Sequence, residues 1–324
     1  MASPRMAPET LVLANPAAGS GAARRVLPAV AAYLTQQNHP ADFATSTSTA
    51  DLRARAAQGV QQGYRNIVAL GGDGTFHHLV DATLGSRVHL GFFPAGHGND
   101  LATALRIPND AIAAAGAFLR SRPHLFDVAR MRFPGVGAAH TGEPGANRFP
   151  AASIVGAGGI GLDAEAAQLA NTRFARWPSA LRYIAGALQA FRHFPPVDVE
   201  LDLDGTIVRD RALFVALANA SYYGSGIRIA PAAKMDDGLL DVVVVRPVDW
   251  TRIVEAIPIL LLSGDIRWSE VRRFRARHLR MATSRPAMVH SAGEIVGVTP
   301  VEVEVLPRAI SMVVPNQSAV TGGG

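Results

Sequence analysis

The stretch ALGGDGTFHHLVD, residues 69–81, places a glycine-rich turn between an apolar run and a second run with helical spacing. Gly71 and Gly72 let the backbone turn sharply off a strand, and they leave no Cβ in the way of an approaching ligand. Thr75 opens the following helix, whose first free amides and positive dipole end favour an anion. Asp73 is the odd member, because a carboxylate repels phosphate unless a cation lies between them. The turn therefore suggests a phosphate loop with Mg²⁺ held at Asp73, directly or through water. An ordinary tight strand-to-helix turn is the plainer alternative, so the rest of the chain has to decide.

Outward from this turn, residues 1–127 alternate strand and helix. TLVLAN, ADFAT, NIVAL and RVHLGFF read as strands, with helices expected at 19–37, 50–63, from about Thr75, at 99–106 and at 110–121. Such alternation argues a parallel sheet covered on both faces. Ligands of such sheets bind beyond the carboxyl ends of the strands. Three glycine-rich loops fall there: NPAAGSG after the first strand, GGDGT after the third and PAGHGND after the fourth.

From HLFDVARMRF onward strand-like runs dominate. LDLDGTIV carries an Asp-Gly pair between alternating apolar residues, a strong hairpin signal. Helices are expected at 162–171, 178–193 and 249–262, and a glycine- and proline-rich loop at 134–147. The division expected is 1–127 for an α/β domain, to which 308–324 returns, and 128–307 for a β-rich domain.

The chain of 324 residues contains 48% hydrophobic and 18% charged residues, enough to bury two cores. Its longest tempting apolar run, AIPILLL at 256–262, is far shorter than the ~20 residues of a membrane span. No secretory leader is expected from the proline-interrupted start. Without cysteine there are no disulfides, thiolate metal sites or cysteine nucleophile. The net charge is +5, and Lys234 is the only lysine. It sits in AAKMDDG, which excludes the P-loop and the strand lysine of protein kinases. Nucleotide phosphates would have to be met by backbone amides, arginine and metal.

Several patterns are decoys. GAGGIG at 156–161 fits G-x-G-x-x-G, but no second strand ending in an acid follows at the spacing a dinucleotide fold needs. His77, His78 and His97 are not read as a metal cluster, because adjacent histidines on a helix point in different directions. The run RWSEVRRFRARHLRM is basic, yet Val271, Phe274 and Leu279 give it one buried side and no nucleic-acid module accompanies it. Arg173, Arg176, Arg182 and Arg192 interleave with Phe174, Trp177, Tyr183 and Phe191. That mixture suits either a solvated helix face or an anionic membrane surface.

Taken together, NPAAG, GGDGT, PAGHGND, GAGGIGLDAE, LANASYYGSGIRIAPAAKMDDGLLDVVVV and AGEIVGVTPVEVEVLPRAISMVVP resemble the diacylglycerol kinase catalytic-domain family, in the expected order along nearly the whole chain. That group includes bacterial lipid kinases, sphingosine kinases and ceramide kinases, and shares its first fold with the NAD kinases. The resemblance implies an N-terminal parallel-sheet nucleotide-binding domain and a C-terminal β-rich sandwich. It implies that Asn15, Pro16 and Gly19 line the ATP phosphate region and that Thr45 faces the nucleotide. Gly71, Gly72, Asp73, Gly74, Thr75, Phe76 and His77 would cradle the phosphates, with His97, Asn99 and Asp100 contributing from the third loop. It further implies a structural Mg²⁺ held by the Asp237 carboxylate and the backbones of Lys234 and Leu239.

This chain departs from the family at three points. His78 stands where G-G-D-G-T-x-x-E has its glutamate, and His97 where G-T-x-N-D has its threonine. Ala292-Gly293-Glu294 stands for D-G-E, whose acids are tied to deprotonating the lipid hydroxyl. Glu294 is then the first candidate base, with Asp73 assisting through the metal.

The function expected is transfer of the γ-phosphoryl of ATP to a hydroxyl of diacylglycerol, a sphingoid base, ceramide or a related lipid. The rivals are a family member that binds without transferring and an NAD kinase-like enzyme. Expected partners are ATP, the lipid, an anionic membrane surface met peripherally from the cytoplasm, and a second copy in a homodimer; nucleic acid is not among them.

Overall fold

The computed structural model describes residues 9–134, 151–161, 166, 169, 172–174, 177, 179–193, 195–222, 226–263 and 266–315. The loop expected at 134–147 and the helix expected at 162–171 fall almost wholly outside them, as do Arg176 and the side chains of Arg182, Tyr183 and Arg192. The chain divides into two compact units, one of residues up to Phe126 with those from Ala309, the other Asp127–Arg308.

The first unit runs β1 (Thr10–Ala14), α1 (Ala18–Gln36), β2 (Ala41–Thr45), α2 (Thr49–Gln61), β3 (Asn66–Gly71), α3 (Asp73–Thr83), β4 (His89–Pro94), α4 (Asp100–Ala104) and α5 (Ala111–Arg120). Its strands lie parallel in the order β2-β1-β3-β4. Apolar runs such as TLVLA are buried along their whole length, as strands covered on both faces must be. Ser48 caps α2 by accepting the Asp51 N–H at 3.1 Å, and Asp110 caps α5 by accepting from Ile112 and Ala113. Because β2 lies on one side of β1 and β3 on the other, the strand order reverses at β1. That reversal opens a crevice at the carboxyl edge between the loops that follow β1 and β3.

The second unit contains β5 (Arg122–Arg132) from Asp127, β6 (Ala151–Ile154), β7 (Ala157–Gly161), α6 (Ser179–His193), β8 (Val197–Leu203), β9 (Thr206–Ala212), β10 (Phe214–Ala218), β11 (Leu240–Val245), α7 (Trp250–Leu262), β12 (Val271–Ala276), β13 (His278–Thr283), β14 (Met288–Ser291), β15 (Glu294–Val298) and β16 (Val301–Val314) up to Arg308. One antiparallel sheet has the order β12-β11-β10-β7-β14-β15. Facing it are β16, β13, β8 and β9, and the pair β5–β6. A shared core that includes Ile154, Leu201, Val215, Leu217, Val242 and Met281 fills the sandwich.

The Asp-Gly pair makes the β8–β9 turn with φ of 51° at Asp204 and 89° at Gly205. The last residues of β16 belong to the first unit, where Ser311 pairs with His89 and Met312 with Leu90 on β4. GAGGIG is no loop: its last five residues are β7, in the middle of the six-stranded sheet.

Candidate functional site

At the carboxyl edge of the first unit the three glycine loops are joined to one another. Asn15 anchors the first: its N–H donates to the Leu70 carbonyl (3.0 Å), and its side-chain amide donates to Thr75 Oγ1 (3.1 Å) at the start of α3. Gly19, Ser20 and Gly21 follow with φ of 58°, 53° and 85°, so the regular part of α1 begins only after them. Glycine is required at the first of these, since a Cβ on Gly19 would lie 2.1 Å from the Ala95 carbonyl oxygen of the third loop. Ser20 Oγ lies 3.3 Å from His97 Nε2. Between the second and third loops, a Cβ on Gly96 would lie 2.6 Å from Gly72 Cα. Asn99, itself at φ 53°, closes the third loop by accepting the Gly96 N–H (3.1 Å) and donating back to the Gly96 carbonyl (3.3 Å).

Asp73 fastens this assembly. Its two carboxylate oxygens accept the backbone amides of Asp100 (3.0 Å) and Leu101 (3.1 Å), the first residues of α4. Desolvation, and after it the nearby Asp100 charge, pushes the Asp73 carboxyl up to about 6, with the backbone amides opposing. By contrast, no side chain caps the N-terminus of α3 at Gly72. The expected contacts therefore divide. Asn15, Gly19, Gly71, Gly72, Gly74, Thr75, His97, Asn99 and Asp100 cluster around the three loops, and Pro16 lies in the first. Thr45 is exposed at the end of β2. Phe76, His77 and His78 are buried in α3, which suits packing; Phe76 meets Phe92 with ring centres 5.2 Å apart.

In the second unit Asp237 lies in the turn leading to β11. One of its oxygens accepts the Leu239 N–H (3.1 Å), and the other is paired with the Arg275 guanidinium from β12. Arg275 Nε also stands 3.5 Å from Asp241 Oδ2, the two residues being direct partners in the β11–β12 register. Burial pushes the Asp241 carboxyl up, Arg275 opposes the shift and Asp237 adds to it. Among the described residues no group of three or more His, Cys, Asp or Glu side chains is arranged to hold a metal. The Asp237 carboxylate, which the resemblance assigns to Mg²⁺ together with the backbones of Lys234 and Leu239, is thus held between the Leu239 N–H and a permanent positive charge, a setting that opposes a divalent ion.

Asp127, read from the sequence only as part of a strand, organises the same region. It is fully buried. Its N–H donates to the Met235 carbonyl, and its oxygens accept the N–H groups of Gly238 and Arg308, each at 2.7 Å. An acid inside the apolar run HLFDVARM was the available signal. Glu294 is exposed and opens β15 after the turn Ala292–Gly293, where φ is 49° and 80°.

Family profiles match two successive stretches. The diacylglycerol kinase catalytic domain covers residues 9–131, and the YegS C-terminal NAD kinase beta sandwich-like domain covers 156–314. A Mycobacterium tuberculosis protein named diacylglycerol kinase is 27% identical over 309 residues, 94% of either chain. One of the same name from Staphylococcus aureus is 23% identical over 314 residues, 94% of this chain and 92% of its own. The crystal structure of a diacylglycerol kinase from Bacillus anthracis, 20% identical, shares the fold with a TM-score of 0.72, covering 98% of this chain and 100% of that one. Those profiles describe lipid and NAD-kinase-like phosphotransferases, and the glycine loops and the sandwich both lie within the matched stretches. The chain belongs to the diacylglycerol kinase catalytic-domain family.

Proposed function

We propose that the chain is an ATP-dependent lipid kinase. Its acceptor is a free hydroxyl on diacylglycerol, a sphingoid base, ceramide or a related lipid. The observation that carries this reading is the close contact of Gly72 with Gly96 and of Gly19 with Ala95, which joins three loops at the strand-order reversal. Side chains on those glycines would strike the backbone of the neighbouring loop and force apart the edge that phosphates have to approach. The uncapped start of α3 offers free amides and a positive dipole end to an anion, which replaces the missing P-loop lysine.

Phosphoryl transfer requires positioning and charge neutralisation above all. The lipid oxygen attacks the γ-phosphorus, the bond to the β–γ bridging oxygen breaks, and ADP leaves. The hydroxyl proton passes to a base, for which Glu294 is the candidate. Asp73 acts through position: by holding the first amides of α4 it fixes the third loop against the second. Mg²⁺ arriving with ATP would spread charge on the phosphates, and Asp73 with Asp100 supplies the carboxylates at that edge. Exposed Leu181, Trp250, Val254 and Leu262 on α6 and α7, together with the net positive charge, support peripheral contact with an anionic membrane. Among the described residues no helix is long and apolar enough to cross one.

Equilibrium ATP binding to the unaltered protein and to Gly96→Ala tests the cradle. The new methyl would sit 2.6 Å from Gly72 Cα and 2.8 Å from Asn99 Oδ1, so the loops have to part. Affinity should fall about 10-fold or more and turnover by about 100-fold, since a displacement of ~1 Å is enough for the latter. A folded Gly96→Ala that binds ATP as well as the parent would refute the cradle.

Ala292 favours a second reading, in which nucleotide is held without transfer. ATP binding with no ADP release, recovered in Ala292→Asp, would select it.

A further inference from the structure

The resemblance assigns a structural Mg²⁺ to the turn at Lys234–Leu239, but the donors there do not suit one. We propose that Arg275 does the work of that cation in this chain, its guanidinium neutralising Asp237 and Asp241 together so that the turn is held without metal. The placement follows from the sheet. Arg275 is the direct cross-strand partner of Asp241, with Nε 3.5 Å from its carboxylate, and its Nη2 reaches Asp237. Asp241 is 7% exposed, so its charge needs a counterion close by.

A guanidinium is a suitable substitute for the metal. It is permanently charged, it donates in a fork that engages more than one carboxylate oxygen, and it is more weakly hydrated than an ammonium ion. Mg²⁺, by contrast, demands a near-octahedral set of oxygens and gives up its water reluctantly. Both oxygens of Asp237 are already engaged, one by the Leu239 N–H and the other by Arg275, so a metal there would have to share them with a cation. A divalent ion at Asp237 would also sit against the positive charge of Arg275. The turn has two further ties made of protein alone, Gly238 N–H to Asp127 Oδ2 and Asp127 N–H to the Met235 carbonyl, each at 2.7 Å. This inference concerns how the second unit is held and stands whichever lipid is phosphorylated.

The test is thermal unfolding of the nucleotide-free protein, in EDTA and in millimolar Mg²⁺. The unaltered chain should melt within about 1 °C under both conditions, whereas Arg275→Met should melt about 3–6 °C lower in EDTA. Arg275→Lys, which keeps the charge but not the fork, should fall between the two. A rise in the Tm of the unaltered protein with Mg²⁺ that Asp237→Asn abolishes would overturn the proposal. So would an Arg275→Met protein that melts with the parent in EDTA. If Arg275→Met does not fold, the comparison of the unaltered protein with and without Mg²⁺ still decides.

Discussion

Asp73→Asn removes a half-buried charge while keeping the shape of the side chain, and its effect on stability is set by pH. The wild-type carboxyl is pushed from 3.8 to about 6, first by desolvation and then by Asp100. A difference of ~2 pK units corresponds to about 3 kcal/mol between the two protonation states. The folded chain holds this proton more tightly than the unfolded one. The contribution is therefore fully present below pH ~4, declines as pH rises, and is lost above about 6. Asparagine does not titrate and keeps one carbonyl oxygen, so either Asp100 N–H or Leu101 N–H loses its acceptor, at about 1–2 kcal/mol that does not vary with pH. The stability of wild type minus variant should therefore drop by about 3 kcal/mol between pH ~4 and ~7.

All three tryptophans, Trp177, Trp250 and Trp268, belong to the second unit, so their fluorescence reports the wrong half of the chain. Amide hydrogen exchange in β1 and β3 reads the first unit directly. Wild type and variant whose exchange-derived stabilities run parallel across this pH range would refute the argument.

Ala292 holds a left-handed φ of 49°, which costs an alanine about 1–2 kcal/mol and which aspartate or glycine tolerates better in a hairpin turn. Ala292→Asp should raise the melting temperature measured by calorimetry and, if the carboxylate shares in deprotonation, increase kcat by up to about 100-fold in a coupled ADP assay. Asn219 is fully buried and donates to the carbonyls of Asp127 (3.0 Å) and Val155 (2.8 Å). Asn219→Ala leaves both without that donor and should cost about 2–3 kcal/mol in urea unfolding followed by tryptophan fluorescence.

What the sequence disclosed and what it hid divide along physical lines. The parallel strands, the Asp204–Gly205 hairpin and the three loops rest on short-range signals: apolar runs, turn residues and caps. The start of α1 was misplaced because Gly19, Ser20 and Gly21 look able to join the helix. Their left-handed φ values, and the Ala95 carbonyl that leaves no room for a Cβ on Gly19, appear only in the fold. GAGGIG has the composition of a phosphate loop, yet Gly158 serves strand packing, where a Cβ would lie 2.4 Å from the His290 carbonyl oxygen. Asp73 stands out in the sequence as a candidate metal ligand, but its role as a brace for α4 was hidden because the amides it holds are 27 and 28 residues away. Asp127 and Arg275 escaped notice because their partners are remote in sequence: Arg308 is 181 residues from Asp127, and Asp237 is 38 from Arg275.

Transfer of a label from the γ-phosphorus of ATP to lipid tests the central claim most directly. The protein would be incubated with labelled ATP, Mg²⁺ and mixed micelles carrying diacylglycerol, a sphingoid base or ceramide in turn, and the lipid extract would be resolved by chromatography. A kinase of the kind proposed places the label on one of these lipids, in an amount that falls when Gly96→Ala is used instead. Label that stays in ATP, or appears only as inorganic phosphate with every lipid, would contradict it.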